Sequence, residues 1–164
     1  MAEQEAAGAP GAGQAGAEPS GAGQPDPEQA MGELNSRMGI RIVDWTPHRM
    51  VATMPVAGNR QPFGLLHGGA SCVLAETLGS TAAAVNARPG RFPVGVEINA
   101  SHHRSATSGT VTAVCTPLHV GGSLATFLVE ITDERDHRIC TARLTCAYLE
   151  RQPGRQEPPS DGSH

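Results

Sequence analysis

Between residues 40 and 149, apolar and polar positions alternate with a period of two along most of the chain, and one long stretch departs from that rhythm. Ile40 and Ile42 alternate with Arg41, Val43 and Trp45, and Met50, Ala52 and Met54 repeat the pattern after a turn at 46–48. Successive side chains of a strand point to opposite faces, so each run predicts a strand with one covered side. Four more such runs occupy 92–101, 109–117, 122–132 and 138–149. Turn-forming residues separate them at Ser108-Gly109, at Gly121-Gly122 and from Asp133 to Asp136. Residues 27–39 predict a short helix ended by Gly39, with Met31, Leu34 and Met38 on one side, and the Pro- and Gly-rich residues 55–66 predict a loop.

The departure from alternation covers 68–87. Wound as a helix, this stretch lines up Ala70, Val73, Leu74, Thr77, Leu78, Thr81, Ala84 and Val85 in one stripe. A surface helix would carry Lys, Arg and Glu on its other side; this one carries Gly69, Cys72, Gly79, Ser80 and Ala83. Glu76 is the only formal charge from Gln61 to Ala87, which predicts a helix buried on all sides. The order β-β-α-β-β-β-β implies an α+β fold, one buried helix inside an antiparallel sheet.

Composition sets the limits of the folded part. Residues 1–30 contain no Val, Ile, Leu, Phe, Trp or Tyr, and residues 151–164 are similarly poor, so both predict disordered tails around one domain at 31–150. The net charge of −4, with all twelve basic residues arginine and none clustered, argues against nucleic-acid binding. The N-terminus lacks the pattern of a signal peptide, and no apolar run is long enough to span a bilayer. Cys72, Cys115, Cys140 and Cys146 show no CxxC spacing and lie in apolar segments, as expected of reduced thiols in a cytoplasmic protein.

An ionised carboxylate on a dry helix face costs several kcal/mol unless partnered, so Glu76 needs an explanation. The face could be wet after all, or a distant arginine such as Arg104 or Arg143 could reach it. The company Glu76 keeps offers a third reading. His67, Gly68 and Gly69 open the helix, where free N–H groups and the dipole favour a developing oxyanion. Gln61 stands just upstream, able to orient a water or a carbonyl, and Ser80 stands one turn beyond Glu76. Carboxylate, imidazole, amide and helix N-terminus are the parts that acyl-transfer hydrolysis requires. His102-His103 has no third ligand at metal spacing, and no metal is expected there. The segments HHRS at 102–105 and HVGGS at 119–123 suit either a phosphorylated ligand or ordinary polar turns.

Three stretches, QPFGLLHGGASCVLAET (61–77), VGVEINASHHRS (94–105) and CTPLHVGG (115–122), resemble the PaaI-like branch of hotdog thioesterases. The likeness extends to the 1,4-dihydroxy-2-naphthoyl-CoA, enterobactin-associated and Arthrobacter-type 4-hydroxybenzoyl-CoA thioesterases, and covers about 36–149. The resemblance implies a hotdog fold, an antiparallel sheet wrapped round a long central helix. It also implies homo-oligomers, dimers of dimers with sites shared between subunits, which would keep the helix face dry. Acyl-CoA is the implied substrate, with acyl-carrier-protein thioesters as a second form and no cofactor beyond the coenzyme A of the substrate. By the same resemblance Glu76 matches the catalytic carboxylate, as nucleophile or general base, and Gly68 the residue whose N–H polarises the thioester carbonyl. His67 and Gln61 match groups around the thioester, and Ser80 the polar residue a turn after the glutamate. Gly95, His102, His103, Arg104 and Ser105, with His119, Val120, Gly121, Gly122, Ser123 and Leu124, match the segments that hold coenzyme A. The rival readings are a hotdog enoyl-CoA hydratase or dehydratase, and a non-catalytic acyl-CoA-binding module.

Overall fold

The computed structural model describes residues 32–150; the two tails expected at 1–30 and 151–164 lie outside them. A short helix α1 (Gly32–Met38) is followed by strands β1 (Arg41–Thr46) and β2 (Arg49–Pro55), then the long helix α2 (Gly68–Val85). Strands β3 (Phe92–His102), β4 (Thr110–Val120), β5 (Leu124–Thr132) and β6 (Arg138–Leu149) complete the chain. The six strands form one antiparallel sheet in the order β1-β2-β4-β5-β6-β3, with α2 packed across one face. The expected α+β architecture is present, with α2 ending at Val85, two residues short of the expected 87.

Alternation places the core. In β5, Ala125, Phe127, Val129 and Ile131 are buried against the helix, and in β6 Cys140, Ala142, Leu144, Cys146 and Tyr148 do the same. Neighbouring residues of both strands face the other way. In β1 a bulge between Ile42 and Asp44 breaks the alternation and leaves Val43 exposed. The Tyr148 hydroxyl donates to Ala83 O at 3.1 Å, tying β6 to α2. Gly79 lets the two approach closely, because a side chain there would run into Leu144.

Within one chain α2 is not buried on all sides. Its buried residues are Ala70, Ser71, Leu74, Ala75, Leu78, Gly79, Ala82 and Ala83, so the covered stripe is rotated from the one expected, and Ala84 is exposed. Cys72, Val73, Glu76, Thr77 and Ser80 are half-buried, lining a groove of about 610 Å³ beside α1 and Ile98 of β3. The reason lies in β3, which among the described residues pairs with β6 alone and forms an edge, with Val96 and Ile98 exposed at 56% and 37%.

Candidate active site

The loop before α2 is more ordered than its composition suggests. Buried Asn59 donates through Nδ2 to Met38 O and Pro55 O, both at 2.8 Å, and its own carbonyl accepts from His67 N–H at 2.9 Å. Gln61 N–H bonds Leu65 O, and Gly64 N–H returns to Gln61 O, a turn that Gly64 completes at φ +80°. Within it the Phe63 N–H donates to Gln61 Oε1 at 2.8 Å. That bond occupies the acceptor end of the amide and leaves its NH₂ as the donor.

His67 is the N-cap of α2, with extended backbone, and its Nδ1 accepts the Gly69 N–H at 2.8 Å. An accepting Nδ1 carries no proton, so the neutral ring is protonated at Nε2. Ala70 N–H and Ser71 N–H both turn to His67 O. Among the described residues the Gly68 N–H has no partner. It is therefore the open donor at the positive end of an 18-residue helix. The His102 ring covers this glycine: a β-carbon at position 68 would lie 2.9 Å from His102 Nε2. Gln61, Gly68, His102, His103, Arg104 and Ser105 all line one cleft of about 360 Å³. Within this cleft edge, His103 Nε2 meets Thr141 Oγ1 at 3.0 Å.

Glu76 belongs to the other depression, the groove beside β3. Its Oε1 accepts from Ser80 Oγ at 3.2 Å, and its carboxylate rests on the backbone of Gly95. Neither Arg104 nor Arg143 neutralises it; Arg143 pairs instead with Glu97 at 3.4 Å. Gly68 and Glu76 are eight residues apart on one helix, about 12 Å along its axis. One chain therefore brings Gln61, Gly68 and His102–Ser105 together, and separately brings Glu76, Ser80 and Gly95 together. Gly95, expected among the coenzyme A contacts, lies under the Glu76 carboxylate.

The segment 119–124 stands apart from both. Leu124 pairs with Ala147, which pairs with Val94, eight residues along β3 from His102. At about 3.3 Å per residue, the two expected coenzyme A segments are roughly 26 Å apart in one chain.

One neighbour of Glu76 escaped the sequence reading. Cys146 is buried beneath Glu76 and Ser80, and its thiol is pushed up to about 11 by burial and then by the Glu76 charge, against a hydrogen bond with Ser80. Only the β3–β6 register, which sets Cys146 opposite Gly95, shows this proximity.

Residues 63–140 match the family model of the thioesterase superfamily. The chain is 46% identical over 121 residues to the proofreading thioesterase EntH of Cronobacter turicensis, covering 73% of this chain and 88% of that one. It is 47% identical over 123 residues to the 1,4-dihydroxy-2-naphthoyl-CoA hydrolase of Escherichia coli K12, covering 73% and 90%. The crystal structure of thioesterase HI1161 from Haemophilus influenzae superposes with a TM-score of 0.73 at 36% identity, covering 79% and 92%. A Staphylococcus aureus thioesterase, SAV0944, superposes through two variants with TM-scores of 0.69 and 0.68 at 34% identity, covering 71% and 70% of this chain and 98% and 97% of that one. One carries alanine for a glutamate and the other alanine for a glutamine fifteen positions earlier. Gln61 and Glu76 stand the same distance apart. With this fold and these relatives, the chain belongs to the thioesterase superfamily and is a hotdog-fold thioester hydrolase.

Proposed function

We propose that this enzyme hydrolyses acyl-CoA thioesters, aryl-CoA esters foremost, at a site completed by two copies of the chain. The observation that carries the reading is the open Gly68 N–H at the start of α2, in a cleft with Gln61, while the helix's only carboxylate lies about 12 Å further on. One thioester carbon cannot meet both from a single chain. A second copy, set against the exposed edge of β3, brings its Glu76 to the first copy's Gly68. An 11-residue edge strand with exposed Val96 and Ile98 suits such self-pairing. A dimer of dimers in the cytoplasm, where the four thiols stay reduced, completes the proposal.

In the reaction the Gly68 N–H and the helix dipole hold the carbonyl oxygen as negative charge develops on it. The Gln61 amide, fixed by Phe63 N–H, donates from beside it. Glu76, steadied by Ser80, either attacks the carbonyl carbon or takes a proton from the attacking water. The carbon–sulfur bond breaks and the thiolate leaves, taking up a proton. If Glu76 attacked, a water then hydrolyses the acyl–Glu76 anhydride; if water attacked, its oxygen is already on the acyl carbon. Either route releases the free acid and restores Glu76. His67, protonated at Nε2, is a further donor at the helix entrance. The name of one relative, a 1,4-dihydroxy-2-naphthoyl-CoA hydrolase, supports an aryl acyl group, and carrier-protein thioesters are proposed as a second form.

Thiol release across aryl-, branched- and straight-chain CoA esters and acyl-carrier-protein esters tests this. Wild type should release thiol from aryl-CoA fastest, and Glu76→Ala should stay folded and lose the activity. Water addition to an enoyl-CoA without thiol release, or binding without turnover, would overturn it.

A further inference from the structure

The turn between β4 and β5 has donors for an anion but no cation of its own. Nothing from His119 to Leu124 is lysine or arginine. The turn closes with Gly121 N–H to Leu124 O at 2.8 Å, and the N–H groups of Gly122 and Ser123 meet no partner among the described residues. A cation arrives from elsewhere in the sequence. Residues Arg88-Pro89-Gly90-Arg91, just after α2, form a β-turn closed by Arg91 N–H to Arg88 O at 3.0 Å, with Gly90 at φ +78°. Pro followed by a positive-φ glycine is the type II signature, a stiff frame that fixes its two end residues side by side.

The two arginines at those ends do different things. Arg91 donates to Gly122 O at 3.1 Å and pairs with Glu150 at 2.7 Å, so its charge is spoken for and it pins one turn to the other. Arg88 has no carboxylate partner among the described residues. It lies over Gly122, where a β-carbon would be 3.6 Å from Nη1 and 3.8 Å from Nη2. An unpaired guanidinium beside two open backbone N–H groups is the chemistry that grips a phosphate.

We propose that Arg88 is the cation that pairs with the nucleotide phosphates of the coenzyme A portion at the Gly122–Ser123 turn, so that it sets preference for CoA over shorter pantetheine thioesters. This rests on the acyl-CoA reading above, and the nucleotide held here belongs to a substrate seated between copies of the chain. Within one chain Arg104 stands at the other end of the sheet from this turn, whereas Arg88 lies directly over it.

The test compares wild type, Arg88→Ala and Arg88→Lys on benzoyl-CoA and benzoyl-pantetheine, which differ only by the nucleotide. Arg88→Ala should raise KM for benzoyl-CoA by about tenfold, the loss of one charge-assisted contact, and that for benzoyl-pantetheine by less than about twofold. Added salt should weaken benzoyl-CoA binding in wild type more than in Arg88→Ala, and Arg88→Lys should recover most of the loss. Equal effects on both substrates, or none, would overturn the assignment. A loss confined to acyl-carrier-protein esters would overturn it too, assigning Arg88 to an acidic protein surface. Calorimetric titration with free coenzyme A reads the same pairing without turnover. Wild type that binds coenzyme A about tenfold more tightly than Arg88→Ala, yet splits no thioester, would support the pairing and refute the proposed hydrolysis.

Discussion

The carboxylate of Glu76 rests so closely on the backbone of Gly95 that a β-carbon at position 95 would overlap Oε1. Glycine at 95 therefore makes room for the carboxylate. The obstructing atom ends a flexible side chain, so Gly95→Ala should keep the fold and push Glu76 out of line. A fall in kcat of about a hundredfold is expected, the cost of displacing a reacting group by about an ångström. Steady-state kinetics on benzoyl-CoA checks it; a change in KM alone would return Gly95 to the substrate-binding role that the resemblance implied.

Ser80 holds the same carboxylate from the helix side, through Oγ to Oε1 at 3.2 Å. Removing a hydrogen bond to a charged group costs about 1.5–3 kcal/mol when its effect is fully felt, so Ser80→Ala should lower kcat by about tenfold or more. Its melting temperature should match wild type within a few degrees. Undiminished turnover in a folded Ser80→Ala would remove Ser80 from the account.

Gly79 tests the packing behind the site without touching its chemistry. A side chain there would strike Leu144 of β6, a fully buried residue. Overpacking of this kind costs about 1–3 kcal/mol, and Gly79→Ala should move the urea midpoint accordingly. The double variant Gly79→Ala with Leu144→Ala should recover part of what each single change loses, because one methyl fills space the other vacates.

The buried thiols give the protein an alkaline limit. Burial, and then the neighbouring Cys146, pushes Cys115 up to about 12; burial, and then Cys72, pushes Cys140 up to about 11, and Cys146 reaches about 11 as described. A thiol whose folded value is raised contributes stability below the unfolded value of 9.0 and loses it as pH rises towards the folded one. Stability should hold through pH 8 and fall between about 9 and 12, and Cys146→Ala should flatten that slope. The same thiols should resist alkylation at neutral pH until the protein unfolds.

Much of this was legible in the chain, for a physical reason. Alternation survives in β4, β5 and β6 because one face of each strand meets α2 and the other does not. Strand β3 alternates almost as well, yet it lies at the edge, and that depends on pairing with β6, which local pattern does not encode. The 56–67 loop reads as irregular because its order comes from Asn59, a single side chain reaching Met38 O and Pro55 O. Glu76 stood out as the lone charge on α2, but nearness in sequence to Gly68 hides the helix rise that keeps the two about 12 Å apart within one chain. Ser80 could be placed beside Glu76 from spacing alone, since four residues make one turn. Cys146 and Gly95 could not, because register between distant strands brings them there.

The central claim is that Gln61 and Gly68 of one copy act with Glu76 of another on the same thioester. Co-expression of Glu76→Ala and Gln61→Ala chains with different affinity tags, followed by purification of the mixed assembly, tests it directly. Each variant alone should be nearly inactive, since every site lacks one group. The mixed assembly should regain roughly a quarter to a half of wild-type thiol release, because one site in each hybrid pair then has both groups intact. A mixed assembly no more active than its parents would contradict the shared site.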